Sequence, residues 1–235
     1  MNATHPSSPL VQVRAWDRVV RSTHWVVALA IVVLSVTGVY IGHPFLISPG
    51  PDAARFTMGT VKVIHFYAAI AFTIAVLSRI LWMFVGKGHA TWKEFIPVET
   101  ERRRGLVHAL LFYLFVRRRP DPAIGHNPAA GAAYTAVFLL YLAVILTGLG
   151  LYGADAAFDS PLHVFQALLG PFGGAQIARW IHHAIMWLLL MFVVHHLYSA
   201  VLTSAVESNG VMDSIFSGKK WVPEHEARAD AQARP

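Results

Sequence analysis

Four stretches with almost no charge divide the chain, and each is about as long as a bilayer is thick. Charge is absent from Ser22 to Phe45 and again from Trp180 to Ala205. A third apolar stretch covers about 62–85, with Lys62 at its start and only Arg79 inside it, and a fourth covers about 132–153. A hydrocarbon core takes roughly 20 residues of helix to cross. The pattern therefore predicts membrane spans at about 22–44, 62–85, 132–153 and 180–204. The first is too long for the apolar part of a secretory signal and has no cleavage pattern after it, so it reads as a span.

Between the spans the chain is punctuated rather than periodic. Residues 104–116, RGLVHALLFYLFV, are apolar but too few to cross, which predicts a helix lying in the interface. Pro120, Pro122 and Pro128 break the chain before the third span. Residues 156–175 hold Pro161, Pro171 and several glycines around VFQALL, which is either a second interfacial helix or a partner-docking surface. Polar ends predict a flexible start at 1–13 and a disordered tail at 223–235, leaving 14–222 as the membrane domain. No internal repeat or heptad appears. The expected fold is all-α: a four-helix integral membrane bundle with short interfacial helices in its loops.

Composition agrees, with 55% hydrophobic and 14% charged residues and a mean hydropathy of +0.50 over 235 residues. Charge placement adds the orientation. Arg14, Arg18 and Arg21 precede the first span, and Lys87, Lys93, Arg102–Arg104 and Arg117–Arg119 fill the loop after the second. Lys219 and Lys220 follow the fourth, whereas the other two loops carry only Arg55, Lys62 and Arg179. The positive-inside bias then places both termini in the cytoplasm. This topology explains the net charge of +6, and no nucleic-acid partner is inferred from it. Cysteine is absent, which excludes disulfides, cysteine-ligated clusters and covalent c-type haem in this chain.

Histidine supplies the chemistry. The fourth span holds His182, His183, His195 and His196. At about 100° per residue, His182 and His196 differ by about 40° and lie roughly 21 Å apart along the axis, while the other inter-pair combinations differ by roughly 120–140°. Only His182 and His196 share a face. The fourth span runs outside to inside, so His182 is outer and His196 inner. His65 begins the second span on the outer side, and His24 begins the first on the inner side. Pairing by depth predicts two bis-histidine haem sites, His65 with His182 and His24 with His196. The competing reading is that these histidines are interhelical hydrogen-bond glue. His183 and His195 read as supporting or interfacial groups and are the alternative ligands. His43 and His163 read as solvated in outer loops, and His89, His108 and His126 as cytoplasmic.

A cation stands three residues before each of three ligands: Arg21 before His24, Lys62 before His65, Arg179 before His182. That spacing lets each reach a haem propionate from the water boundary, though cations also flank ordinary spans. Arg79 is a fourth candidate, its alternative being simple snorkelling. Ala28, Gly38, Ala68 and Gly148 are small enough for a helix or a macrocycle to approach closely. With both axial positions filled by protein, iron has no site for oxygen, which favours electron transfer. No dinucleotide, Walker, zinc-protease or nucleophile-elbow motif appears, and no catalytic residue is assigned.

Several motifs together resemble one family. RxxHW at Arg21–Trp25, MGTVKVIHF at Met58–Phe66, RILWMFVG at Arg79–Gly86, IGHNP at Ile124–Pro128, TGLGLYG at Thr147–Gly153 and HHLY at His195–Tyr198 are similar to the b-type cytochrome subunit of membrane-bound nickel–iron hydrogenases. That subunit lies within the bacterial di-haem cytochrome b561 superfamily, and the resemblance runs in order from about 12 to 220. It implies two haem b groups on the same four histidines, with the outer one as electron entry. It also implies hydrogenase small and large subunits as periplasmic partners and quinone as acceptor. The chain would then be an electron-transfer subunit rather than an independent catalyst, embedded in lipid, with oligomerisation open. One departure is LTS at Leu202–Ser204, where the family usually carries an Arg-Glu-Asp cluster. Two rivals remain: a free-standing cytochrome b561 exchanging electrons between quinone and a small oxidant such as superoxide, and a structural anchor without haem.

Overall fold

A computed structural model describes residues 9–45, 56–96, 100–118, 124–207 and 210–233. The first eight residues of the expected flexible start, the last two of the tail, and Arg55, Arg119, Pro120 and Pro122 lie outside these. The elements run β1 (Leu10–Arg14), α1 (Arg18–Gly42), α2 (Thr57–Val85), α3 (Thr100–Tyr113), α4 (Pro128–Asp155), α5 (Ala175–Glu207), α6 (Val211–Ser217), β2 (Lys219–Pro223) and α7 (Glu224–Ala233). Helices α1, α2, α4 and α5 are the four long enough and apolar enough to cross a membrane. Three of the predicted spans lie within them, and the first, 22–44, runs two residues past the end of α1.

Local chemistry sets the ends. Asp17 caps α1, its Oδ1 accepting from the Val20 N–H at 2.8 Å, and Pro44 follows the helix soon after its end. Asn127 caps α4 through the Ala130 N–H at 2.8 Å, with Pro128 at the first helical position, where its missing N–H costs nothing. Leu29, Val36, Ile74, Leu81, Leu139 and Met191 are between 61% and 67% exposed. Side chains so apolar and so far out on every long helix belong against hydrocarbon, not water.

The chain divides into two compact units. The second comprises 23–78 and 137–193. Within it the four long helices form a ring. Helix α1 meets α2 at Thr37 and His65, and α2 meets α4 through Phe66–Tyr152 and Phe72–Tyr141 edge-on ring contacts. Helix α4 meets α5 at Thr147 and His182, and α5 returns to α1, with His183 against Gly42 and Met186 against Gly38. Thus α2 lies diagonally opposite α5, and α1 opposite α4. Val76, Thr147 and Ala178 are fully buried in this unit.

The first unit comprises 1–22, 79–136 and 194–235. Here β1 pairs antiparallel with β2, Val11 opposite Val222 and Gln12 opposite Trp221. Trp16 Nε1 donates to Ser214 Oγ at 3.0 Å, the Ala15 N–H donates to the Gly218 carbonyl at 2.9 Å, and Arg21 donates to the Phe216 carbonyl. Gly218 ends α6 at φ 81°, and a Cβ there would lie 2.7 Å from the Trp16 carbonyl oxygen, so a side chain is excluded twice over.

Both ends differ from expectation. Residues 10–13 belong to a strand, and 224–233 form a helix whose first N–H donates to the Pro9 carbonyl at 3.0 Å. His89, 7% exposed, sits between Glu94 Oε1 at 3.5 Å and Asp230 Oδ2 at 3.4 Å. Composition measured how little apolar surface the termini could bury alone, and not that each supplies the other's partner. Helix α3 corresponds to the expected interfacial helix, shifted a few residues earlier. Residues Pro161–Phe172 form a 3-10 helix, started by the Ser160 hydroxyl accepting from the Leu162 N–H.

Candidate functional site

The second unit brings His65 and His182 into its interior from diagonal helices. His65 Nδ1 lies 2.8 Å from Thr37 Oγ1 on α1, and His182 Nδ1 lies 3.0 Å from Thr147 Oγ1 on α4. One diagonal carries the imidazoles and the other carries the hydroxyls that hold them. Each ring rests on a glycine. A Cβ on Gly38 would lie 3.5 Å from His65 Cε1, and one on Gly148 would lie 3.1 Å from His182 Cε1. Gly38 and Gly148, read from sequence as sites of close approach, are approached by these two histidines.

His183 is turned elsewhere. Its Nδ1–H donates to the Arg179 carbonyl at 2.8 Å, and its Nε2 faces Gly42, where a Cβ would be 2.8 Å away. His195 bonds Ser199 one turn on, at 3.3 Å. In the first unit, His196 Nδ1 lies 3.2 Å from the Tyr134 hydroxyl, beside an aromatic group of Trp16, Phe95 and His126. His24 belongs to the second unit, its ring 5.3 Å from that of Trp25. His43 is exposed as expected. His163, expected to be solvated, is half-buried, with its Nδ1 out of solvent.

A haem asks for two neutral imidazoles, each with one nitrogen free for iron and the other satisfied by protein. His65 and His182 meet that requirement: Nδ1 is engaged in both, and Nε2 is the nitrogen left over. Among the described residues, no group of three or more His, Cys, Asp or Glu converges as a bare ion would need. Two side-chain ligands and a macrocycle suit this donor set better.

Thr37, Thr147 and Tyr134 escaped the sequence reading, which searched for ligands and cations. A signal was present: Thr-Gly occurs in the middle of an apolar helix twice, at Thr37-Gly38 and Thr147-Gly148.

The four cations each have a partner in their own unit. Lys62 Nζ pairs with Asp155 Oδ2 at 2.9 Å, on side chains 39% and 57% exposed. The pair also lines a cavity of about 360 Å³ with Phe66 and Tyr152. An ion pair this exposed contributes little to stability, so Lys62 is free to exchange partners. If it serves a propionate, Lys62→Gln shifts the potential of the outer haem, and an unchanged potential removes Lys62 from the site. Arg179 donates to Gln176 at 3.0 Å and Arg21 to the Phe216 carbonyl.

Arg79 departs from the snorkelling expectation. It is 7% exposed, donates to the Ala90 carbonyl at 3.1 Å and lies 5.2 Å from the Phe95 ring centroid. Both contacts lie within the first unit and pack it. Arg79→Met leaves that carbonyl unsatisfied and is expected to lower stability by about 1–3 kcal/mol. The check is thermal unfolding in detergent, with haem potentials unchanged; a shifted potential would restore the propionate role.

Comparison with known proteins follows the same lines. The profile of the family described as "Prokaryotic cytochrome b561" matches residues 15–218. The chain is 35% identical over 211 residues to a "Probable Ni/Fe-hydrogenase B-type cytochrome subunit" of Bradyrhizobium diazoefficiens, covering 88% of this chain and 85% of the relative. A protein of the same name from Cupriavidus necator is 36% identical, over 86% of this chain and 84% of its own. The "Probable Ni/Fe-hydrogenase 1 B-type cytochrome subunit" of Escherichia coli K12 is 33% identical, over 90% and 92%.

Proposed function

The chain belongs to the prokaryotic cytochrome b561 family, and from that premise we propose that it is the membrane electron carrier of a nickel–iron hydrogenase. It takes electrons from the iron–sulfur small subunit at the outer face, delivers them to quinone, and anchors the enzyme to the membrane. It is a multi-pass membrane protein, which in bacteria means the inner membrane. The observation that carries the reading is the diagonal pair His65 and His182, each with Nδ1 engaged and Nε2 left for iron.

Haem b, when bound, supplies reversible one-electron chemistry at iron. This chain's residues do the rest. His65 and His182 would hold an outer haem, which would supply electron transfer rather than small-molecule binding. Thr37 and Thr147 orient them, and Gly38 and Gly148 leave the rings their room. His24 and His196 would hold an inner group; this pairing rests on depth along the predicted spans and on the family resemblance. In the sequence, only Arg55, Lys62 and Arg179 lie in the two loops that join the first span to the second and the third to the fourth, which supports a cytoplasmic position for both termini.

Purification of the tagged full chain from its native membranes tests the reading. Expected are two haems per chain by haemochrome assay, with hydrogenase large and small subunits co-eluting. A coloured chain that retains quinone-linked activity without a partner would favour a free-standing cytochrome. A colourless one would end the electron-carrier reading.

A further inference from the structure

The two threonines constrain their histidines more tightly than one contact each suggests. Thr37 Oγ1 lies 2.7 Å from the Val33 carbonyl oxygen one turn back, and Thr147 Oγ1 lies 2.8 Å from that of Ala143. A hydroxyl has one hydrogen, and a carbonyl oxygen can only accept. Each threonine hydrogen is therefore spent on its own helix, and what faces the imidazole is an oxygen lone pair. His65 Nδ1 and His182 Nδ1 must then be the donors. A neutral imidazole carries one N–H, so with the proton on Nδ1 the lone pair is on Nε2.

We propose that Thr37 and Thr147 are paired positioning residues that lock His65 and His182 as Nδ1–H tautomers and set the electron richness of both ligands, and hence the potential of the outer haem. The inference rests on the bis-histidine reading above. A bond to the carbonyl four residues back is ordinary for a threonine inside an apolar helix. That habit accounts for the contacts each threonine makes to its own helix, with the carbonyls four and three residues back. It does not account for the further bond to a half-buried imidazole, nor for its recurrence on two helices with glycine next in each. The α1–α2 and α4–α5 contacts are two copies of one device: Thr accepts from the ring, and the next residue is a Gly, required for room at Gly148 and with space for a methyl group at Gly38.

The chain of bonds from carbonyl to hydroxyl to Nδ1–H polarises along its length. An Nδ1–H drawn toward an acceptor makes Nε2 a stronger donor, which favours the oxidised iron. Removing the acceptor should therefore raise the potential.

The experiment is a redox titration of the full-length protein in detergent, followed by optical and electron paramagnetic resonance spectra. The variants are Thr37→Val, Thr147→Val, Thr37→Ser and Thr147→Ser. Valine keeps the shape and loses the oxygen; serine keeps the oxygen. Each valine variant is expected to move the outer midpoint upward and shift its low-spin ferric signal, leaving the inner haem unchanged, while the serine variants stay near wild type. Loss of the outer haem from the valine variants alone would carry the same conclusion. Valine variants with full haem, unmoved midpoint and unmoved signal would overturn it, as would serine variants that behave like valine. Failure of the underlying reading looks different: the wild type itself would then lack a low-spin signal that His65→Ala removes.

Discussion

His182→Ala is expected to give a protein with half the haem of the wild type and no hydrogen-dependent reduction of quinone. Alanine has no nitrogen to offer, and the Thr147 hydroxyl, already donating to the Ala143 carbonyl, has no hydrogen left for a substitute ligand. His183 cannot step in without giving up its bond to the Arg179 carbonyl and turning away from Gly42. The inner site, proposed on His24 and His196, is expected to keep its haem. His65→Ala should give the same half-loaded protein, whereas His24→Ala and His196→Ala should empty the other site. Haemochrome assay and redox difference spectra count what remains. Full occupancy of both sites in any of these variants would break the proposed pairing.

Gly148→Val is expected to mimic His182→Ala although it touches no ligand atom. A Cβ on Gly148 would stand 3.1 Å from His182 Cε1, already tighter than ordinary contact, and the two methyl groups of valine project further. The ring cannot slide aside freely, because Nδ1 is bonded to Thr147 at 3.0 Å. Overpacking of this kind costs about 1–3 kcal/mol in a close-packed interior, and here the cheapest relief is to turn the imidazole off its axis. Gly38→Ala is the control. Its Cβ would meet His65 Cε1 at 3.5 Å, an ordinary van der Waals distance, so both haems should stay. The same assays decide, and a fully loaded Gly148→Val protein would show that the glycine is merely a helix-packing site.

Much of this was legible along the chain. The four spans follow from charge-free runs of sufficient length, since in hydrocarbon a backbone has no partner but itself. Helical period alone was enough to put His182 and His183 on different faces. The structure sets His182 beside Thr147 and turns His183 toward Gly42. The cations were less legible. Arg79 reads in sequence as a charge near a span's end, and only the fold shows it buried over Phe95 and bonded to the Ala90 carbonyl. The termini were misread because β1 and β2 are more than 200 residues apart, and neither has a reason to be a strand without the other.

What the sequence by itself determined is the set of local quantities: which runs can live in lipid, which side carries the charge, and which imidazoles share a helix face. Each depends on period, length and composition, and these are properties of a segment alone. The tertiary structure decided everything that needs two helices at once. It chose α1 and α4 to brace the histidines of α2 and α5, spent the threonine hydrogens, and put a glycine under each ring. Hydrogen-bond direction and close contact depend on distances between segments remote in the chain, and no one-dimensional pattern encodes a distance.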